Sequence, residues 1–391
     1  MPTTPRDPLD FLDVDGLLTA GEAAVRDRVR AFTAEHVLPF IEGWFERGEF
    51  PVELARGYGE IGILGMHLDG YGCAGASAVE YGVANREVEY GDSGLRSFVS
   101  VQGSLAMFPI HSYGSEAQRE EWLPRMARGD AIGCFALTEP GSGSDPSSMT
   151  TRAVRDGSDW VLAGHKKWNT NGWVSDVAIV WAKDERDVIR GFVVPSDAPG
   201  VEFSPLEHAW SLRAAARSEL SLRDVRLPAE AVLPGIEGIK GPLSCLTEAR
   251  FGIAWGAMGA ARACYEAALD HATSRVQFGK PIGAFQLVQR KLVEMAIAVN
   301  AGSLMALQLG RLKDADRVTF EQVSMTKLHN ARAALAIARD ARSLLGATGI
   351  TFDAPVIRHM NNLESVITYE GTEEIHTLIV GAALTGQRAF E

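Results

Sequence analysis

The residue best placed to move a proton is Glu370, in Tyr369-Glu370-Gly371-Thr372. Thr372 suits a helix N-cap, and Glu373 and Glu374 suit the first turn after it, where free backbone N–H groups favour negative charge. Glu370 then stands just outside the helix, beside a glycine that lets other atoms come close. A carboxylate partly withdrawn from water there has its pKa raised and can act as a general base; left in water it is an ordinary surface side chain. Arg96, in Asp92-Ser93-Gly94-Leu95-Arg96-Ser97, offers the opposite charge. Either it forms a solvated ion pair with Glu89 or Asp92, or it points into a pocket and grips a carboxylate by two parallel hydrogen bonds.

Two further segments have the make-up of a ligand cradle. Thr138-Glu139-Pro140-Gly141-Ser142-Gly143-Ser144-Asp145 follows the apolar Cys134-Phe135-Ala136-Leu137. Its small residues leave backbone N–H groups free to approach a phosphate or a ring edge, with a surface turn as the plainer alternative. Lys167-Trp168-Asn169-Thr170-Asn171-Gly172 sets an indole among hydrogen-bonding side chains. An exposed Trp there suits a flat heteroaromatic ring, and a buried one belongs to a β core. A Gly-x-Gly-x-x-Gly string at 57–62 follows residues 50–56, whose proline and charges read as a helix start. A dinucleotide fingerprint needs a buried strand there, so the string is set aside.

Positioning these groups takes elements of three textures. Up to about residue 130 the chain is rich in Ala, Glu and Arg, with helical segments such as 21–36 and 115–128. Between 131 and 236, short apolar runs at 160–163, 177–181, 191–194 and 220–222 have the spacing of an antiparallel β domain. No helix-length pattern separates them, which argues against a doubly wound parallel sheet. Beyond that, long helices return: Val288, Leu292, Met295 and Val299 recur at i, i+4, i+7 and i+11, with Arg290, Lys291 and Glu294 elsewhere on the cylinder. The expectation is an α+β chain with an N-terminal helical domain at 1–130, a middle antiparallel β domain at 131–236 and a C-terminal helical bundle at 237–391.

The 391 residues match two or three domains at roughly 150 residues each. With 46% apolar and 23% charged residues, the chain is neither disordered, collagenous nor a disulfide scaffold. A net charge of −12 argues against general binding to nucleic acid or to an anionic membrane, so an anionic ligand needs a local basic pocket. Cys73, Cys134, Cys245 and Cys264 include no CxxC pair and have no His at metal-ligand spacing, the pattern of reduced thiols without a metal. The start, Met1-Pro2-Thr3-Thr4-Pro5-Arg6-Asp7, has no signal-type apolar run. The greasiest stretch, 296–310, is broken by Asn300, Ser303 and Gln308 and falls short of the roughly 20 residues of a membrane span. A cytoplasmic location is expected.

Taken together and in this order, the motifs resemble the acyl-CoA dehydrogenase family, and the likeness covers essentially the whole chain. It is carried by residues 138–145, by Arg275-Val276-Gln277-Phe278-Gly279 with Gln286, and by Tyr369-Glu370-Gly371-Thr372. Within the family the chain is most similar to glutaryl-CoA dehydrogenases. That likeness rests on Gly70-Tyr71-Gly72-Cys73-Ala74-Gly75, Ser93-Gly94-Leu95-Arg96-Ser97, Gly143-Ser144-Asp145-Pro146-Ser147-Ser148-Met149 and Arg250-Phe251-Gly252-Ile253-Ala254-Trp255-Gly256.

The resemblance implies FAD, an acyl-CoA substrate, a homotetramer, and electrons passed to an electron-transfer flavoprotein. It gives Glu370 the role of base; some relatives carry the base just before the Arg of the first long C-terminal helix, where this chain has Ala249. By the same resemblance Phe135, Leu137, Thr138, Trp168 and Thr170 contact the flavin. Arg275, Phe278 and Gln286 match contacts to the FAD of a neighbouring subunit, and Ser343, Gly346, Ala347 and Thr372 further FAD positions. Ser144, Arg250 and Gly371 match acyl-CoA contacts, while Arg96, with Ser97, Ser100 and Glu89, would hold a distal carboxylate. The implied reaction is α,β-dehydrogenation of glutaryl-CoA followed by loss of CO2. Three positions depart from the family's pattern, namely Asn169, Ala347 and Arg217, and they bear on flavin affinity and tuning.

Overall fold

The computed structural model describes residues 7–389. The reading of the chain start rests mostly on residues 1–6, which lie outside the described residues. Seven helices come first: α1 (Ala20–His36), α2 (Ile41–Arg47), α3 (Leu54–Glu60), α4 (Ala78–Gly91), α5 (Ser93–Ser100), α6 (Phe108–Tyr113) and α7 (Glu116–Ala127). A π-helical stretch, Val101–Met107, joins α5 to α6. α1, α4 and α7 each begin with a reciprocal capping box, from Thr19 with Glu22, Ser77 with Glu80, and Ser115 with Gln118. These pairs satisfy backbone donors that a helix start leaves open. The Gly-rich string lies in and just after α3, where a Cβ on Gly59 would come 2.2 Å from the Arg128 carbonyl oxygen. Close chain packing, and no phosphate, accounts for a glycine there.

The middle of the chain forms β1 (Gly133–Ala136), β2 (Arg152–Asp156), β3 (Asp159–Thr170), β4 (Val177–Lys183), β5 (Ile189–Pro195), β6 (Val201–Pro205) and β7 (Arg217–Leu227). All four apolar runs singled out in the sequence fall inside strands. One expectation needs correcting, because the sheet is mixed: β1 pairs parallel with β4, and β2 meets β4 in parallel at Arg152 and Lys183, while the other pairings are antiparallel. Short runs reveal strands but not their direction, since β1 and β4 are joined by a long excursion through β2 and β3. The β3–β7 ladder carries register shifts between Leu162 and Gly164 and between Lys166 and Asn169.

The last part begins with α8 (Lys240–Ser274), a two-stranded hairpin of β8 (Val276–Gln277) and β9 (Lys280–Pro281), and α9 (Gln286–Asp314). α10 (Phe320–Leu344), α11 (Val356–Val366) and α12 (Glu373–Thr385) follow. Met295 and Val299 of the expected α9 face are buried, whereas Leu287, Val293 and Ile297 are exposed. By length and apolarity α9 meets the requirements of a membrane span, which the 296–310 stretch alone did not suggest; it packs on α8 and α10. One core cluster joins α1, α4 and α5 to Phe251, Ala254 and Trp255 of α8. The helical regions on either side of the sheet thus share a core, and the candidate site lies where α5, α8 and α10 meet.

Candidate active site

The 369–371 segment leaves α11 and turns back into α12. Glu370 has φ 53° and Gly371 φ 96°, both in the left-handed region, which an L-residue such as Glu adopts at a cost. Thr372 caps α12, its side chain accepting from the Ile375 N–H, as its position in the sequence implies. Glu370 is no surface carboxylate: its Oε2 is buried with no hydrogen-bond partner. Burial pushes its pKa up, and the positive charges of Arg96, Arg250 and Lys327 oppose that rise.

Arg96 is fully buried on α5. Its Nε donates to Glu89 Oε2 at 2.6 Å, and Glu89 is also fully buried, so the pair is not the solvated one that is commonest for such residues. Nη2 donates to the Tyr369 hydroxyl, with Ser97 Oγ 3.4 Å from the same oxygen. Nη1 is buried without a partner, as is Glu89 Oε1. Burial works against the guanidinium, but Glu89, Tyr369 and Glu370 outweigh it and hold Arg96 firmly charged. Arg96 therefore pairs with Glu89 in the interior and not in solvent, and it reaches the Tyr369 hydroxyl next to Glu370. Ser100 is buried with its Oγ unpartnered.

Asp92 explains how α5 is aimed. It caps α5 through the Gly94 N–H at 2.6 Å, and its other oxygen accepts from Arg358 Nη1 and Asn362 Nδ2, each at 2.8 Å. Glycines on α8 let the opposite wall come close: a Cβ on Gly256 would lie 2.0 Å from Glu89 Oε2.

Arg250 sits behind Glu370. Its Nε donates to the Glu370 carbonyl oxygen at 2.7 Å, and burial lowers its pKa against the pull of Glu370. The hydrogen bond from α8 to the 369–371 segment thus uses Nε of Arg250, the residue that the resemblance matches to an acyl-CoA contact. Ser144 stays exposed at the turn after β1.

The residues that the resemblance matches to flavin contacts lie on and just after β1 and at the end of β3. Phe135 and Leu137 are buried, and Thr138 is half-buried. The Thr138 carbonyl takes the Lys167 N–H at 2.8 Å, which ties the 138–145 turn to β3. At the β3 irregularity Trp168 adopts φ 67° and is 56% exposed, so the β-core reading of this Trp fails. Asn169 turns the other way, is buried, and donates Nδ2 to the Ser218 carbonyl at 3.2 Å. That side-chain bond ties β3 to β7 at the register shift. Arg217 is directly across from Thr170 on β7, and cross-strand partners share a face. Its Nε is buried with no partner, and burial first, then Arg213, brings its pKa down to about 10. The exposed Trp168 indole, the half-buried Thr138 and Thr170 and the unsatisfied buried Nε of Arg217 are groups that suit a flat, polar-edged ring such as the isoalloxazine of FAD.

The structure does not gather the remaining positions here. Arg275, Phe278 and Gln286 lie on the β8–β9 hairpin and the start of α9, with Phe278 93% exposed. Ser343, Gly346 and Ala347 are exposed at the end of α10.

Other residues join the site without having been singled out. Tyr369 was visible in its motif but had no assigned role. Lys327 occupies an inward position of α10 in the series Val323, Lys327, Ala331, Ala334 and Ala338, all buried. A charge at a core position was the available signal. Lys166 and Glu139 form a buried pair, 2.9 Å apart, under the 138–145 turn.

Models for the acyl-CoA dehydrogenase N-terminal, middle and C-terminal domains match residues 19–130, 134–225 and 237–385. The mitochondrial short-chain specific acyl-CoA dehydrogenase of Bos taurus is 33% identical over 367 residues, 92% of this chain and 89% of that protein. The crystal structure of a glutaryl-CoA dehydrogenase from Mycobacterium smegmatis in complex with FADH2 is 55% identical, with a TM-score of 0.97 over 99% of this chain and 100% of that one. A glutaryl-coenzyme A dehydrogenase in complex with glutaryl-CoA is 30% identical, with a TM-score of 0.91 over 95% of this chain and 96% of that one. On this sequence, fold and site, the chain belongs to the acyl-CoA dehydrogenase family and is an FAD-dependent oxidoreductase.

Proposed function

We propose that this protein is a glutaryl-CoA dehydrogenase that releases CO2 and forms crotonyl-CoA, with Glu370 as its base. The observation that carries this reading is Arg96, a buried guanidinium beside Tyr369 and Glu370 with Nη1 still unpartnered. A buried charge held at such a place is costly unless something needs it. A substrate with a second carboxylate does, because a guanidinium binds carboxylate with charge-assisted hydrogen bonds. The 55% identity to the Mycobacterium smegmatis glutaryl-CoA dehydrogenase supports the same substrate.

Glu370 takes the α proton of the thioester, and its own backbone N–H helps stabilise the negative charge that develops on the carbonyl oxygen. Phe135, Leu137, Thr138, Trp168 and Thr170 would hold FAD, which would supply the acceptor for the hydride from the β carbon. Arg96 with Ser97 holds the distal carboxylate, and Glu89 fixes the guanidinium through Nε. Once the α,β double bond exists, the bond from the γ carbon to the carboxylate breaks, CO2 leaves, and the electron pair delocalises into the thioester. Protonated Glu370 then returns its proton to the γ carbon, giving crotonyl-CoA. Electrons pass on to an electron-transfer flavoprotein. The outward display of Arg275, Phe278 and Gln286 supports a homotetramer in which they reach a neighbour's FAD.

A second reading is oxidation of a monocarboxylic short-chain acyl-CoA, favoured by the closed Arg96–Glu89 pair and by the Bos taurus relative. Anaerobic mixing of the holoenzyme with glutaryl-CoA separates them, following flavin absorbance and identifying the thioester by mass. Bleaching with crotonyl-CoA and CO2 is expected. Glutaconyl-CoA as the end product removes the decarboxylating step, and bleaching by butyryl-CoA alone removes the substrate assignment.

A further inference from the structure

We infer that Lys327 is a positioning residue for the base: from α10 it clamps the backbone on both sides of Glu370 and supplies part of the positive field that keeps the carboxylate ionised. The inference rests on Glu370 being the base. Lys327 Nζ donates to the Tyr369 carbonyl at 3.0 Å and to the Gly371 carbonyl at 2.8 Å. Arg250 Nε takes the carbonyl between them at 2.7 Å. Three successive carbonyls are thus held by two cationic side chains, the outer two by Lys327 from α10 and the middle one by Arg250 from α8.

The segment needs such holding. With Glu370 at φ 53° and Gly371 at φ 96°, it follows neither the helix before it nor the helix after it. Side-chain donors satisfy its buried carbonyls, and a loop in a sparsely populated conformation persists only when its surroundings over-determine it. Lys327 is 1% exposed on the buried face of α10, between Val323 and Ala331, where an Ala or Leu would pack at far lower cost.

The charge is as constrained as the geometry. Glu370 faces Arg96 from α5, Arg250 from α8 and Lys327 from α10. Lys327 itself faces Glu370, Arg250, Arg96 and Glu373, and burial brings its pKa down to about 7. His376 of α12 is buried against the same segment, and burial together with Lys327 and Arg250 depresses it to about 3, so it stays neutral. Lys327 is therefore the one cation here without a fixed positive charge.

The test uses FAD-loaded enzyme with glutaryl-CoA and compares Lys327→Met, Lys327→Gln and Lys327→Arg. Removing the charge should lower kcat about tenfold or more, change KM by less than about threefold, and move the acid limb of kcat/KM up by about one pH unit. Lys327→Arg should restore the limb and most of kcat. An unmoved acid limb in Lys327→Met or Lys327→Gln overturns the inference, as does an equal loss in all three variants. If neither uncharged variant folds, Lys327 is a structural residue only and the inference also fails. Glu370→Gln run alongside keeps the two ideas apart. Turnover surviving in Glu370→Gln removes the base itself, whereas turnover lost there with an unmoved limb in the Lys327 variants removes only the role of Lys327.

Discussion

Two opposed influences act on Glu370, since burial raises its pKa while three cations restrain the rise. The raised value dominates, so the group binds its proton at a higher pH than an ordinary carboxylate. A base must be ionised, and kcat/KM should therefore fall as pH drops through this raised pKa, with its acid limb above the usual range near 4.3. A pH profile with no limb above that value counts against the assignment. Glu370→Gln should keep bound FAD and lose turnover by about 10²- to 10⁴-fold or more. Arg96→Ala should harm glutaryl-CoA oxidation far more than butyryl-CoA oxidation, because only glutaryl-CoA presents a second carboxylate. Equal losses on both substrates would mark Arg96 as structural. Residue type and neighbours marked Glu370 and Arg96 as candidates, each beside a plainer surface reading. Their burial was not legible, because the water-poor surroundings of both come from α8 and α10, far away in the chain.

At the scale of elements, the 138–145 turn depends on a pair buried beneath it. Lys166 Nζ donates to Glu139 Oε1 and to the Leu137 carbonyl, each at 2.9 Å, and Glu139 also accepts from Thr150 and Thr151. Burial raises the Glu139 pKa, but Thr151, Lys166 and Thr150 overcome it and bring the group down to about 2. Because the folded value lies below the unfolded one, this contribution to stability is complete above about pH 4.5 and is lost as pH falls towards 2. Lys166→Met leaves that carboxylate buried with its cation gone. A loss of about 3–5 kcal/mol in urea unfolding is expected, with acid unfolding moved to higher pH and weaker FAD retention. Unchanged acid unfolding would show that Thr150 and Thr151 suffice. Gly256→Ala tests the other wall, where the new Cβ would collide with Glu89 Oε2. Destabilisation by about 1–3 kcal/mol and a higher KM for glutaryl-CoA are expected, and an unaltered melting temperature and KM would show that Glu89 can yield. The strand run around Trp168 was legible in the sequence. The irregularity that turns its indole outwards was not, since a register shift is a property of two strands.

For the whole molecule, the buried pair of Arg358 and Asp92, 2.8 Å apart, joins α11 to the start of α5. It holds the helix bearing Arg96 against the helical bundle bearing Glu370. Arg358→Met should cost about 3–5 kcal/mol in denaturant unfolding, because Asp92 is left buried without its cation. It should also raise KM for glutaryl-CoA by loosening α5. A melt and KM both unchanged would remove the pair from that role. The sequence by itself determined the three textures, the strand runs, the cap at Thr372 and the candidates Glu370 and Arg96, since periodicity, capping and turn chemistry are local. Only the tertiary structure decided that β1 and β4 run parallel, that Arg250 serves the Glu370 backbone, and that Tyr369 and Lys327 complete the site. Each of those depends on which distant segments share a volume, and both the desolvation that raises Glu370 and lowers Lys327 and the buried partners that hold Glu139 and Arg96 charged are fixed only when that volume closes.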